Sequence, residues 1–128
     1  MRKTRGGEHG QGLVEAALLL PLLVLITMGV IDFGRLYFSY TSIVNAAREG
    51  AACASLGALC AGGAAAAAAA EVGGMLQGGI TTTVSPASPT PGSTVTVTVQ
   101  YQFKPITTAI IKSTTLPISA SASMVVQQ

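Results

Sequence analysis

The sequence predicts an α+β protein with a long N-terminal transmembrane and amphipathic helix, a short Ala-rich helix, and a small antiparallel sheet of about three strands. Three observations support this fold class: an apolar run over residues 13–31, an alanine run bounded by glycines over 62–79, and alternating valine and threonine over 93–103. Charged residues make up only 9% of the chain. Because soluble domains carry roughly 25% charged residues, this composition indicates a membrane protein.

The apolar run from Leu13 to Ile31 is the strongest signal in the sequence. As a helix it would be about 28 Å long, which matches the hydrocarbon core of a bilayer. We therefore predict a transmembrane helix over residues 11–32. Pro21 lies inside it and removes one helical hydrogen bond, so we expect local bending or melting there.

Basic residues are concentrated before the apolar run, at Arg2, Lys3 and Arg5. The positive-inside rule keeps such a cationic head in the cytoplasm, so the chain beyond Asp32 is predicted to be exported from the inner, cytoplasmic membrane. Beyond Gly10 the basic and acidic residues are equal in number. A chain without net positive charge lacks the electrostatic footprint of a nucleic-acid-binding protein.

A cleavable secretory signal is the ordinary explanation for a basic start and an apolar run. It fits poorly because Glu15 interrupts the run and no small-x-small cleavage site follows it. A cut placed before the run, between Gly10 and Gln11, instead makes Glu15 the fifth residue of the new chain. This arrangement resembles the signal of type IV prepilins, with a short basic leader ending in glycine, although Gln11 stands where classical type IV pilins carry phenylalanine.

Residues 10–51 extend this resemblance, because several motifs occur there in a fixed order. They are Gln11 with Glu15, Pro21, Asp32-Phe33-Gly34-Arg35 and Asn45-Ala46-Ala47-Arg48-Glu49-Gly50-Ala51. The sequence resembles the TadE-like family, the pseudopilins of tight-adherence pilus systems. The resemblance implies cleavage by a prepilin peptidase and assembly with other pilins and the pilus assembly platform, for surface adhesion.

Glu15 is the candidate assembly residue. An unpaired carboxylate in hydrocarbon costs a few kcal/mol, so such a residue usually faces a partner. The α-amino group exposed by a cut before Gln11 is a natural partner, and the resemblance to pilins implies that it belongs to the adjacent subunit. The alternative is that Glu15 merely snorkels to the cytoplasmic interface.

The helical pattern continues beyond the apolar run, which predicts one helix from about Gly12 to Ala54 with an amphipathic outer half. Tyr37 and Tyr40 suit either the outer membrane interface or packing against the following domain. Asp32 can pair with Arg35, three residues later, in a structural contact. The predicted apolar face holds Phe33, Leu36, Tyr37, Tyr40, Ile43, Val44, Ala47 and Ala51, and the other face holds Arg35, Ser39, Ser42 and Glu49.

The two cysteines, Cys53 and Cys60, lie in the predicted exported part, where a disulfide is permitted. On one continuous helix they would be about 10 Å apart, which is too far to bridge. A disulfide therefore requires the helix to end near Ser55, which Gly57 allows. We favour this small disulfide loop over two free buried thiols.

A second helix is predicted from about Ala64 to Gln77, with a flexible spacer as the alternative. Strands are predicted over 80–85, 93–103 and 117–127, the first two pairing as a hairpin with a long connection. Residues 106–116 fit either a short helix or a loop. The predicted segments are a basic leader over 1–10, a transmembrane helix over 11–32, an amphipathic extension with the cysteine loop over 33–61, an Ala/Gly-rich helix over 62–79 and an exported β region over 80–128.

The residue inventory argues against an enzyme. The only histidine, His9, lies in the stretch that the proposed cut removes, and the remaining residues form no Ser-His pair, zinc motif or phosphate-binding loop. No cofactor, metal or small-molecule substrate is therefore expected. The sequence predicts a minor pilin-like structural subunit. The alternative is an uncleaved single-pass accessory or scaffold protein of a pilus or secretion system.

Overall fold

The computed structural model describes residues 8–76, 78–108 and 115–127 and confirms the predicted α+β fold. Most of the predicted basic leader and most of the undecided segment 106–116 lie outside the described residues. In chain order the elements are α1 Glu8–Ser55, a 3-10 helix Gly57–Leu59, α2 Gly63–Val72, β1 Thr81–Ser85, β2 Thr94–Phe103 and β3 Leu116–Val125.

Helix α1 is one uninterrupted helix that begins four residues before the predicted start. It continues through Pro21, so the predicted local melting does not occur. Proline removes one backbone donor, and the turns on either side of it remain helical. The peptide between Gly10 and Gln11 lies within this helix.

The three strands form one antiparallel sheet in the order β1-β2-β3, with β2 at the centre. The predicted hairpin pairs Thr83 with Thr98, and Val99 faces Ala120 across the other pair of strands. Strand β2 alternates strictly, since every second side chain is buried. Its buried residues are Val95, Val97, Val99, Tyr101 and Phe103.

The buried face of the sheet packs on the outer half of α1, and β3 runs in the same direction as the helix. Near its start, Ile118 lies beside Leu36, and just past its end the Gln127 amide donates to the Ser55 carbonyl at 2.8 Å. Helix α2 packs beside α1 on the same side. The core that they enclose contains Ile43, Ala46, Ala47, Ala51, Ala54, Ala68, Val72, Leu76, the five buried β2 residues and Val126.

The predicted apolar face of α1 coincides only in part with the face that the sheet covers. Ile43, Ala47 and Ala51 are buried, but Phe33, Tyr37 and Tyr40 are exposed, and Ser39 is buried. The sheet rests on small side chains because these allow its backbone to approach the helix closely. The large aromatic side chains are consequently displaced to the flank of the interface.

Helix α2 is shorter than predicted, because it ends at Val72. Gly73 adopts a left-handed conformation with φ of 56°, and its amide donates to the Ala69 carbonyl. This is the usual glycine termination of a helix. The glycine pair Gly73-Gly74 therefore ends the helix, and the predicted last residue, Gln77, lies outside the described residues.

Candidate functional site

The proposed cleavage and assembly residues lie together at the start of α1. Gly10, Gln11 and Glu15 are all exposed, and a side chain added at Gly10 would meet no atom within 4 Å. The most apolar stretch of α1 is likewise exposed along its whole length. This half of the helix is therefore free of contact with the sheet, and it presents a long apolar surface that carries one carboxylate.

Asp32 marks the point where the uncovered half of α1 ends. Its Oδ1 accepts a hydrogen bond from the Ile106 amide at 2.7 Å, and its Oδ2 accepts from the Thr107 amide at 2.9 Å and the Thr107 hydroxyl at 2.8 Å. Three donors from one turn thus converge on one carboxylate. This fixes the connection after β2 to the helix, directly beyond the apolar run.

Arg35 completes the same cluster. Its Nη1 lies 3.3 Å from Asp32 Oδ1, as the predicted pair requires, and 3.5 Å from the Lys104 carbonyl oxygen. Its guanidinium carbon is 5.5 Å from the centre of the Phe103 ring, within the range of a cation–π contact. Arg35 therefore links the helix to the end of β2 by a hydrogen bond to the Lys104 carbonyl and by the contact with Phe103. Its side chain is 44% exposed, so the ion pair itself contributes little.

The contacts between Asp32 and residues 106–107 were not predicted. The sequence indicated only the local pair with Arg35, whereas the stronger partners are more than 70 residues away. One signal was available: a carboxylate placed directly after an apolar run needs donors beyond a single arginine. The sequence does not show which distant backbone amides supply them.

Cys53 and Cys60 form a disulfide, with their Cα atoms 5.3 Å apart. Helix α1 ends at Ser55, between the two cysteines, and the 3-10 helix Gly57–Leu59 turns the chain back. The disulfide therefore lies at the end of the domain farthest from the apolar run. It fixes the exit of the chain from α1 towards α2.

Two grooves lie along the packed half of α1, and the first of them includes residues of the Asp32 cluster. One has a volume of about 870 Å³ and lies between α1 and the end of β2, where Arg35, Phe38 and Ile106 contribute to its walls. The other, of about 230 Å³, is lined only by Phe33, Leu36, Tyr37, Tyr40 and Ile118. Among the described residues, the His, Cys, Asp and Glu side chains form no group of three that could hold a metal ion.

Comparison with known proteins connects this arrangement to a pilus system. The family model described as TadE-like protein matches residues 10–52. The match confirms the resemblance found in the sequence and covers about a third of the chain, including the uncovered half of α1 and most of its packed half. It associates the protein with the tight-adherence pilus, and α1 fits the helix of a single-pass membrane protein of that system.

Neither of the other comparisons found a relative. No curated protein matches the chain, and no solved structure matches it.

Proposed function

We propose that this protein is a minor pilin-like subunit of a tight-adherence pilus. It is made as a precursor, cut by a prepilin peptidase between Gly10 and Gln11, and held in the inner membrane by α1 with the sheet exported. It is then assembled with other pilins through α1, and its role in adhesion is structural rather than enzymatic.

The observation that best supports this proposal is the difference in coverage between the two halves of α1, in the region that the family model matches. One helix passes from a wholly exposed apolar half into a half that is covered by the sheet and α2. A helix that leaves so much apolar surface uncovered needs either lipid or other apolar helices around it. A pilin uses both in turn, since it is stored in the membrane and then packed into a filament.

Glu15 determines how neighbouring subunits align along α1 in this packing. Its side chain is exposed on the uncovered half of α1, so the neighbouring subunit can reach it. When Gln11 becomes the first residue, its α-amino group provides a positive charge close to the same level of the helix. Pairing with that charge in an adjacent copy removes the cost of a lone carboxylate in hydrocarbon.

The first test is the N-terminal sequence of the mature membrane protein from its native cell, obtained by mass spectrometry. A chain that starts at Gln11 is the expected result. An intact start at Met1 or Arg2 would overturn the processing step and leave the accessory or scaffold protein as the better interpretation.

A second test separates assembly from processing. Glu15→Ala is expected to be cut normally but to be lost from purified pili. Glu49→Ala is the matched control, because Glu49 is an exposed acidic residue of the same helix outside the apolar run. Equal incorporation of both variants would show that Glu15 does not direct assembly.

One observation favours the alternative of an uncleaved single-pass membrane protein. The backbone is helical from Glu8 onward, so the peptide between Gly10 and Gln11 is part of a helix. Proteolysis prefers exposed loop segments, and cleavage here requires local unwinding of the first turns. The mass measurement distinguishes the two functions directly.

A further inference from the structure

Large apolar side chains are exposed at the membrane-proximal end of the exported domain, on two separate parts of the chain. On α1, Phe33 is 70% exposed and Tyr37 is 65% exposed. On the segments that flank the undescribed part of the β2–β3 connection, Ile106 is 43% exposed and Leu116 is 46% exposed. We call these four residues the apolar collar.

The collar lies at the level where the apolar run ends. Ile106 donates its amide to Asp32, which directly follows Ile31, the last residue of the run. Leu116 pairs with Phe103 in the sheet, and Phe103 in turn stacks with Arg35, one helical turn beyond Asp32. The β2–β3 end of the sheet therefore reaches the same height along α1 as the boundary of the predicted span.

We propose that the collar rests in the lipid headgroup region, so that the membrane-proximal end of the exported domain touches the membrane surface while its far end stands away from it. This rests on the proposed membrane span. The run from Leu13 to Ile31 already fills the hydrocarbon thickness, at about 28 Å. The next residues along α1, and Ile106 fixed beside them, then lie at interface depth.

The chemistry of the collar suits that depth. Tyrosine is enriched at membrane interfaces because its ring is apolar and its hydroxyl remains hydrated. The small groove between α1 and β3 is lined only by Phe33, Leu36, Tyr37, Tyr40 and Ile118, so two of the collar residues contribute to its walls. Lys104, exposed on the same connection, can point its ammonium group towards lipid phosphates while its stem covers apolar surface.

Asp32 would be costly at this boundary if it faced lipid alone. Its carboxylate is instead covered by the turn that carries Ile106 and Thr107. The same turn thus satisfies the charge with backbone donors and places an apolar side chain outward. This explains why the connection after β2 is tied to the helix at the first residue beyond the run.

The protein contains no tryptophan, so a single introduced tryptophan reports its own depth. The full chain carrying Ile106→Trp is reconstituted into phosphatidylcholine vesicles with bromine placed either near the headgroups or near the chain ends. Fluorescence is expected to shift to the blue and to be quenched more strongly by the shallow bromines. Leu116→Trp is a second collar variant and should behave in the same way.

Two controls fix the interpretation. Leu59→Trp lies in the disulfide loop at the far end of the domain, where Leu59 is 81% exposed, and should be neither shifted nor quenched. Val24→Trp lies in the middle of the apolar run and should be quenched best by the deep bromines. If Val24→Trp is not quenched, the membrane span itself fails and the collar proposal fails with it.

If Val24→Trp is quenched but both collar variants are not, the span stands and the collar proposal is overturned. A blue shift without quenching overturns it as well, because that result places the collar against protein rather than lipid. Quenching of Leu59→Trp equal to that of the collar variants would contradict the proposal too, since the domain would then lie flat along its whole length.

Discussion

The two halves of α1 share one continuous backbone but have different surroundings. From Gly10 to Ile31 nearly every side chain is exposed, and leucine, valine and isoleucine predominate. From Asp32 to Ser55 one face is covered by the sheet and α2, and the covered residues are mostly alanine, glycine and serine. Residue size along a single helix therefore distinguishes the uncovered half from the half that packs against the sheet and α2.

The reason for the difference is the kind of partner. In the proposed membrane span, the uncovered half lies among lipid chains, which are fluid and fill space around large aliphatic side chains, so its gain depends on apolar area. A β-sheet is rigid, and its backbone comes close to the helix only where side chains are small. Identical substitutions in the two halves should therefore change the stability of the exported domain by different amounts.

The largest expected difference is between two phenylalanines. Phe103 is 2% exposed and stacks with Arg35, so Phe103→Ala should lower the free energy of unfolding of the exported domain by about 3 to 5 kcal/mol. Phe33, on the uncovered flank of α1, should give almost no change when replaced by alanine. Hydrogen exchange of the β2 amides in detergent micelles measures both effects. Equal protection in the two variants would contradict the assignment of Phe103 to the core and of Phe33 to the exposed flank of the interface.

Two glycines of α1 provide the next comparison. A Cβ added at Gly50 would lie 3.0 Å from Val97 Cγ1 and 3.1 Å from the Ala64 carbonyl oxygen, whereas one added at Gly29 would meet nothing within 4 Å. Gly50→Leu should destabilise the domain by about 3 kcal/mol, at the upper end of the usual cost of overpacking. Gly29→Leu should leave its stability unchanged.

Urea unfolding in the same detergent, followed through β2 exchange, checks this pair. The matched substitution controls for the added apolar area and for helix propensity, since both positions are helical. Similar losses in both variants would mean that the middle of the apolar run is also packed against protein.

The disulfide is expected to stabilise only the covered half of α1 and the domain that packs on it. Replacing both Cys53 and Cys60 with alanine should cost about 2 to 3 kcal/mol, because the closed loop is short and its removal releases limited chain entropy. Reductant should lower the stability of the native chain to that of the variant and should not change the variant. If reductant destabilises the variant as well, its effect comes from elsewhere.

The sequence predicted the elements that have a strong period or composition. The apolar run, the alternation along β2 and the glycine-bounded alanine run each identified one element, because side-chain period and helix propensity act locally. The third strand was weaker, since serine and alanine differ little in apolar character. Its half-buried face of Ile118, Ala120 and Ala122 is set by pairing with β2.

Two features of the packed half depend on tertiary contact and were therefore predicted wrongly or not at all. Phe33, Tyr37 and Tyr40 were placed on the apolar face of α1, with the membrane interface as an alternative for the two tyrosines. The sheet instead rests on small residues, and Ser39 is buried among them. The donors to Asp32 come from a turn that is distant in sequence. Neither choice of partner leaves a periodic signal in the chain.

The smallest expected effect is at Asp32, the boundary between the two halves. The substitution Asp32→Asn keeps the shape of the side chain, but an amide nitrogen cannot accept a hydrogen bond, so the donors to one of the two carboxylate oxygens lose their acceptor. We expect the free energy of unfolding to fall by about 1 to 2 kcal/mol, because buried donors that lose their acceptor are costly. Water can still reach this turn, which limits the loss.

Which amides lose their protection from exchange is more informative than how much stability the variant loses. If the hydrogen bonds to Asp32 hold only this turn to α1, the Ile106 and Thr107 amides should exchange faster in Asp32→Asn. The amides in the centre of β2 should then keep their protection. Glu49→Gln is the control, since Glu49 is exposed on the same helix and the change should alter neither set. Faster exchange throughout β2 would instead show that Asp32 supports the whole sheet, and the boundary between the two halves would then be part of the domain core.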